Sequence, residues 1–194
     1  TVATRYSVMP HPRLSEEGLE LRAVQPADIE AIRLWRNAQM DVLRQTSPIS
    51  AEEQERYFAA NVWNEMTSPE PGQILLALER ESTLIGYGGL VHISWPNKRA
   101  EVSFLLAPAL ENDRKIRAEI FTSFLRAVQR LAFEDIGLQR LFTETFAHRD
   151  DHILTLEATG FEREGVLRSH ILINEAPMDS IIHGSLARDW IQHS

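Results

Sequence analysis

Cysteine is absent from all 194 residues, which excludes disulfides, thiolate chemistry and cysteine-based metal sites. The seven histidines never fall at an HxH or HExxH spacing, so no histidine metal signature takes their place. A basic excess is missing as well. Twenty Lys and Arg stand against 28 Asp and Glu, a net charge of -8, which argues against a nucleic-acid-binding surface. No apolar run reaches the ~18 residues that a membrane span requires, and the N-terminus lacks the basic-then-apolar layout of a secretion signal. The expectation is a cytoplasmic protein with neither membrane nor nucleic-acid partners. The chain starts at Thr1, as after removal of an initiator Met or trimming, and nothing in it marks an oligomer interface.

At 22.2 kDa the chain suits one domain with a sizeable core. The first 17 residues, rich in Pro, His and Ser, show no period and are expected to form an N-terminal arm rather than core, leaving a domain over 18–194. Within it, Gly18 to Val24 alternates like a strand, and Pro26 suits the first turn of a helix carrying Ile29, Ile32 and Trp35 inward. A second helix begins at Ser50, with Glu53 placed for a capping box. Gln73 to Arg80, Leu84 to Ile93 and Arg99 to Ala107 read as three strands, the last stopped by Pro108. The longest helix is predicted from Asp113 to Asp135, with Ile116, Ile120, Phe124, Val128 and Leu131 on one face and Gly137 as its stop. Arg140 to Ala147 is the next strand. A short helix capped by Asp150 or Asp151 and ended by Gly160 follows, then strands around Gly165 to Ile173 and Asp179 to Leu186. The order implies an α/β domain with a central mixed sheet and helices on both faces.

The most specific segment is HRDDHILTLEATGFEREGVLR, from His148 to Arg168. Its ending, GFEREGVLR, resembles the C-terminal part of the GNAT acyltransferases, and most of all the RimJ/RimL-like branch and the related amino-sugar N-acetyltransferases. Trp35 to Ser50, WRNAQMDVLRQTSPIS, is similar to the segment that borders the acceptor site in that branch. The element order from about Leu19 to Trp190 is that of the GNAT fold, a single domain around a mixed, mostly antiparallel sheet. The resemblance implies an N-acetyltransferase that uses acetyl-CoA as cosubstrate, with a small-molecule amine, an amino-sugar nucleotide or a peptide N-terminus as acceptor.

The resemblance also distributes roles. Strand residues Phe104, Leu105 and Leu106 would offer main-chain groups to the pantetheine arm. The loop after them would hold the pyrophosphate on backbone N–H groups at a helix N-terminus, where donors are unsatisfied and the partial charge is positive. The family pattern there is R/Q-x-x-G-x-G/A. In this chain Glu111, Arg114 and Ile116 stand at its defining positions. Arg114, Lys115 and Arg117 instead crowd the first helical turn, where the dipole disfavours cations. Either they meet the phosphates in place of the glycines, or Glu111 and Asp113 neutralise them. Arg149 is a further candidate for a cofactor phosphate.

For chemistry, Glu101 stands where the resembled family often has a Glu that takes the amine proton; the alternative is a cross-strand partner for Arg99. The family's usual Tyr acid position is Leu156, and His152 is the other titratable candidate, or else a helix histidine facing water. On the acceptor side, Arg36, Asn37, Arg44 and Gln45 can bind phosphates or hydroxyls, with Trp35 stacking on a ring or simply belonging to the core. Two readings stand: an active N-acetyltransferase, or a GNAT-fold binding or structural protein that does not use acetyl-CoA.

Overall fold

A computed structural model describes residues 1–190; the last four residues of the expected 18–194 domain lie outside them. The chain opens with a hairpin. β1 (Arg13–Glu16) and β2 (Leu19–Ala23) are joined by Glu17 and Gly18, both at positive φ (47° and 84°). That is the turn geometry whose twist matches paired strands. The arm expected at residues 1–17 is therefore corrected. Besides forming β1, this segment inserts Tyr6 and Met9 into the core, each 1% exposed. The Tyr6 hydroxyl accepts a bond from the Leu75 N–H at 3.0 Å, and burial pushes its pKa up to about 12. Burial makes the segment part of the fold although its sequence has no period.

After a 3-10 turn (Pro26–Asp28) come α1 (Ile29–Ala38) and α2 (Ala51–Asn61), the latter capped by Ser50, whose hydroxyl accepts from the Glu53 N–H. Strands β3 (Ile74–Arg80), β4 (Thr83–Ser94) and β5 (Arg99–Leu106) follow. A short helix α3 (Pro108–Glu111), not foreseen, separates β5 from α4 (Arg114–Arg130). The long helix predicted to Asp135 keeps its α-geometry only to Arg130 and finishes in a π turn (Leu131–Asp135) before Gly137 at φ 74°. Then come β6 (Arg140–Phe146), α5 (Asp150–Ala158), β7 (Glu162–Ile173) and β8 (Ala176–Leu186). The N-cap of α5 is Arg149 rather than an aspartate, and Asp151 is drawn away to Arg114.

The strands form one sheet in the order β1-β2-β3-β4-β5-β6-β8-β7. Every pairing is antiparallel except β5 with β6. Each face carries its own core. On one, Leu76, Leu90, Ala100, Leu106 and Leu141 meet Phe121, Phe124 and Val128 of α4. On the other, Leu75, Ala77, Tyr87 and Leu105 meet Ile32 and Phe58 of α1 and α2. Alternation along each strand is what feeds both layers. At Gly88 a Cβ would lie 2.3 Å from the Ser103 carbonyl oxygen and 2.9 Å from the Phe124 ring, so only glycine lets α4 approach so closely.

The parallel pair is short. Its register covers only Arg99↔Arg140, Ala100↔Leu141 and Glu101↔Phe142. Beyond it, β5 stays with β4 as far as Leu106↔Gly86, while β6 follows β8 to Phe146↔Ser180. A bulge in β4 after Val91, with His92 at φ 49°, lies beside the last shared pair. Bulges raise local twist. The two strands part like the arms of a V, and that opening positions the site.

Candidate active site

The V is a cleft of about 150 Å³. Its walls are Val102, Ser103 and Phe104 of β5 and Thr143, Glu144 and Thr145 of β6. The main chain of β5 is available there. Ala107 N–H donates to the Ile85 carbonyl of β4, so by strand alternation Leu105 and Ser103 also turn their peptide groups toward β4. Val102, Phe104 and Leu106 turn theirs toward the gap. The Leu106 carbonyl accepts from the Gln39 side chain at 2.8 Å, which leaves Phe104 as the residue whose N–H and C=O both face the opening. Leu105 is thus corrected: its peptide bonds to β4, its side chain enters the second core, and it presents nothing to the cleft.

The α4 side of the cleft is polar and cationic. Arg117, 8% exposed, donates to Glu111 at 2.7 Å and to His152 Nδ1 at 3.0 Å, and lies over the Phe104 and Phe121 rings. Arginine has no acceptor, so His152 Nδ1 must be one, and the neutral ring carries its proton on Nε2. The ring stacks on Phe121 at 4.2 Å. Burial, with Arg149 and Arg117 beside it, holds the His152 pKa well below its ordinary value. His152 is therefore a fixed donor. It does not fill the role of a base at neutral pH. Arg149 lines the same cleft without an ion-pair partner among the described residues. Burial and the neighbouring Arg117 lower its pKa to about 10.

The first turn of α4 departs from the expected cradle. Asp113 is the N-cap, and its carboxylate accepts the Ile116 N–H at 3.1 Å. Ile116 is corrected on that ground: its donor is used and its side chain packs on the core. Arg114 is bound at two points by Asp151, both 2.8 Å, and Arg117 by Glu111; of the three cations, only Lys115 is exposed without an ion-pair partner among the described residues. The neutralising acids are thus Asp151 and Glu111, with Asp113 serving the helix.

On the α1–α2 face, Glu101 is 6% exposed and sits 3.1 Å from Arg44 Nη2 and 3.6 Å from His92 Nε2. Its expected alternative partner, Arg99, is not the one it takes. Arg44 also reaches Glu144 at 3.6 Å, so one half-exposed guanidinium spans two carboxylates from the two arms of the V. A second cavity of about 390 Å³ opens between α1, α2 and the sheet, sharing Val91 and Ser103 with neighbouring walls. Arg36 lines it and donates to the Tyr87 hydroxyl at 2.6 Å and to Gln45 at 3.2 Å. Burial raises the Tyr87 pKa.

Of the residues expected from sequence, Glu101, Phe104, Arg44, Arg149 and His152 meet in the cleft, and Arg36 in the adjoining cavity. Three others serve the scaffold. Asn37 staples Ile49 by two bonds (2.9 and 2.8 Å), Gln45 supports Asn37, and Trp35 packs on the second core. Missed were Thr143, Glu144 and Thr145. The signal was present: in RLFTETFA the threonines fall at the spacing of Leu141, on the inward face, where polar residues are out of place unless something meets them.

The chain matches the model of the acetyltransferase (GNAT) domain over residues 21–182. Among curated proteins, none matches. Among solved structures, the spermidine N-acetyltransferase from Vibrio cholerae in complex with CoA and spermine is similar at 19% identity and TM-score 0.74, covering 88% of this chain and 96% of that one. A chimera of that enzyme with hSSAT gives 20% identity and TM-score 0.75, over 89% and 97% of the two chains. At these identities the likeness is one of fold.

Proposed function

The chain belongs to the GNAT acetyltransferases, which use acetyl-CoA, and we propose that it acetylates the primary amine of a small molecule held between the β5–β6 cleft and the α1–α2 cavity. The observation that carries this is the unpaired edge of β5 beyond Glu101, with Phe104 N–H and C=O turned into an opening that also holds Glu101 and His152. An extended arm bearing amides fits such an edge as a strand would. The buried Thr143 and Thr145 hydroxyls have no protein partner among the described residues and can meet the arm from the other wall. GFEREGVLR and WRN support the RimJ/RimL-like side of the family.

Acetyl-CoA supplies an acetyl group activated as a thioester. The protein's part is to orient it, to present a neutral amine and to offer a donor near the developing negative charge. His152 is built for the last of these, since its Nδ1 is held by Arg117 and its Nε2–H is free to donate. Glu101 and Glu144 place two carboxylates in the cleft, next to the α1–α2 cavity. An ammonium entering there takes the place of Arg44, whose half-exposed guanidinium can swing into solvent while the largely buried carboxylates keep a cation. Arg149 is the cation for a cofactor phosphate lying near the N-terminus of α4, where the Asp113 cap weakens the attraction the helix end alone would offer.

That cap favours a second reading. A carboxylate at the N-terminus of α4 opposes a pyrophosphate there, as in a GNAT-fold protein that has given up acetyl-CoA. One calorimetric titration separates the two. Binding of acetyl-CoA and CoA, weaker than in a protein with a glycine loop, is expected, followed by thiol release with a panel of small amines. No heat at millimolar acetyl-CoA would establish the non-catalytic reading.

A further inference from the structure

Below α5, outside the groups already assigned, lies a histidine that no solvent reaches. His183 on β8 is 0% exposed, and its Nε2 is 2.9 Å from Glu157 Oε2 of α5. An ionised carboxylate only accepts, so Nε2 carries the proton and Nδ1 of the neutral ring is left as an acceptor. Nδ1 is buried with no protein partner among the described residues. Across the ladder, His183 stands in register with Thr143, a wall of the cleft, whose buried hydroxyl is likewise without a protein partner. Side chains opposed in this way have Cβ atoms ~5 Å apart. Two complementary groups, an acceptor nitrogen and a hydroxyl, therefore stand at opposed positions, unbonded to each other, with Thr143 at the cleft wall and His183 behind it.

We infer that Glu157, at the surface, and the buried His183 form a carboxylate–imidazole dyad that acts through the Thr143 hydroxyl, across one water, as the proton carrier for acetyl transfer. The inference rests on the acetyltransferase reading above. Two histidines of opposite use then stand at the cleft, His152 lining it and His183 behind its wall. His152 has its acceptor nitrogen blocked by Arg117 and can only donate. His183 has its donor nitrogen fixed on Glu157 and can only accept. His152 is thus the hydrogen-bond donor of the pair and His183 the base.

The balance is simple. The amine nitrogen forms the new C–N bond, the thioester C–S bond breaks, and the electron pair leaves on sulfur. The proton shed by the nitrogen passes to Thr143 Oγ1 as the Thr143 proton passes, across that water, to His183 Nδ1. Return along the same path delivers it to sulfur, giving amide and thiol with no net change in the protein. Glu157 stays ionised and stabilises the transient imidazolium, a role in which His183 already lowers its pKa. The other charged groups around the ring are Arg163, in register on β7, Glu164 of β7 and His152 of α5. Arg163 also touches Glu157, at 3.6 Å, and shares its charge from the solvent side.

These are positioning residues, since none of the dyad touches substrate, and the test must move more than stability. In the free protein, two-bond ¹H–¹⁵N spectra should show His183 as the Nε2–H tautomer; an Nδ1–H tautomer overturns the assignment. His183→Asn should lower kcat roughly 10²-fold with KM and acetyl-CoA affinity within about twofold. Glu157→Gln should lower kcat as His183→Asn does, with acetyl-CoA affinity within about twofold, because the ring loses the acceptor that holds its proton on Nε2. Should His183→Asn fail to fold, Thr143→Val and Thr143→Ser carry the test, with loss expected for Val and rescue by Ser. Unchanged kcat in His183→Asn, in Thr143→Val or in Glu157→Gln overturns the dyad alone. A parent protein that binds no acetyl-CoA overturns the acetyltransferase reading, and this inference with it.

Discussion

Asp113→Asn separates two roles that the wild-type side chain combines. The Asp113 carboxylate accepts the Ile116 N–H at 3.1 Å and so caps α4, and on the proposed function it places a negative charge beside the cofactor's pyrophosphate. Asparagine is as good an N-cap as aspartate, so the hydrogen bond survives and only the charge is removed. Losing the charge–dipole contact lowers helix stability by about 0.3–1 kcal/mol. For CoA the sign is opposite. At about 5 Å in bulk-water dielectric, each pair of like charges costs on the order of 0.8 kcal/mol, so about 1.5 kcal/mol against a doubly charged pyrophosphate. Screening at physiological salt trims this to about 1 kcal/mol. Calorimetry should show the Kd for CoA falling roughly fivefold, most clearly at low salt, while a phosphate-free pantetheine thioester binds as before. An unchanged or raised Kd, or an equal gain with the phosphate-free thioester, would refute the placement of the pyrophosphate at this helix end.

Four other outcomes are expected. Glu101→Gln should lower kcat by roughly 10²-fold with acetyl-CoA affinity retained, measured by thiol release; an unaltered rate removes Glu101 from the chemistry. Arg149→Gln deletes a cleft cation that has no ion-pair partner among the described residues, and because charge-assisted bonds contribute about 1.5–3 kcal/mol, CoA should bind 10-fold or more weakly with a flatter salt dependence. Gly88→Ala forces a methyl against the Ser103 carbonyl and Phe124, and overpacking of about 1–3 kcal/mol should lower Tm by several degrees. The pKa of His152 is depressed by folding, so its contribution is complete above the unfolded value of ~6.5 and is lost as pH falls below it, where the unfolded chain binds a proton that the folded ring refuses. Urea midpoints should therefore drop from pH 7.5 to 5.5 by more in the parent than in His152→Gln.

Much of this molecule is legible locally. Ser50 caps α2 and Gly160 sits at φ 91° after α5 as expected, because a cap or a left-handed residue depends on its immediate neighbours. The strands from Gln73 to Ala107 and from Arg140 to Ala147 emerge within a residue or so of their observed bounds, since alternation and Pro108 mark them. The hairpin at Glu17–Gly18 was overlooked although an acidic residue before Gly is a turn signal. Its first strand has only four residues and its preceding segment is held by Tyr6 and Met9, whose burial no period reveals.

By itself, then, the sequence determined the strands and helices from β2 to β8 apart from α3, their order, the absence of thiol chemistry and, through GFEREGVLR and WRN, the family. The separation of β5 from β6 after Glu101, and with it the exposure of the Phe104 peptide groups, was decided by tertiary structure, because pairing is set by partners far along the chain. So was the fate of each charge. Arg114 and Arg117 look alike in RKIR, yet one is tied to Asp151 at the surface and the other is drawn under Phe104 to Glu111 and His152. The dyad of His183 with Glu157, 26 residues apart, exists only because α5 folds over β8. Charge and hydrogen bonding act over a few ångströms of space, and those neighbours are chosen by the fold.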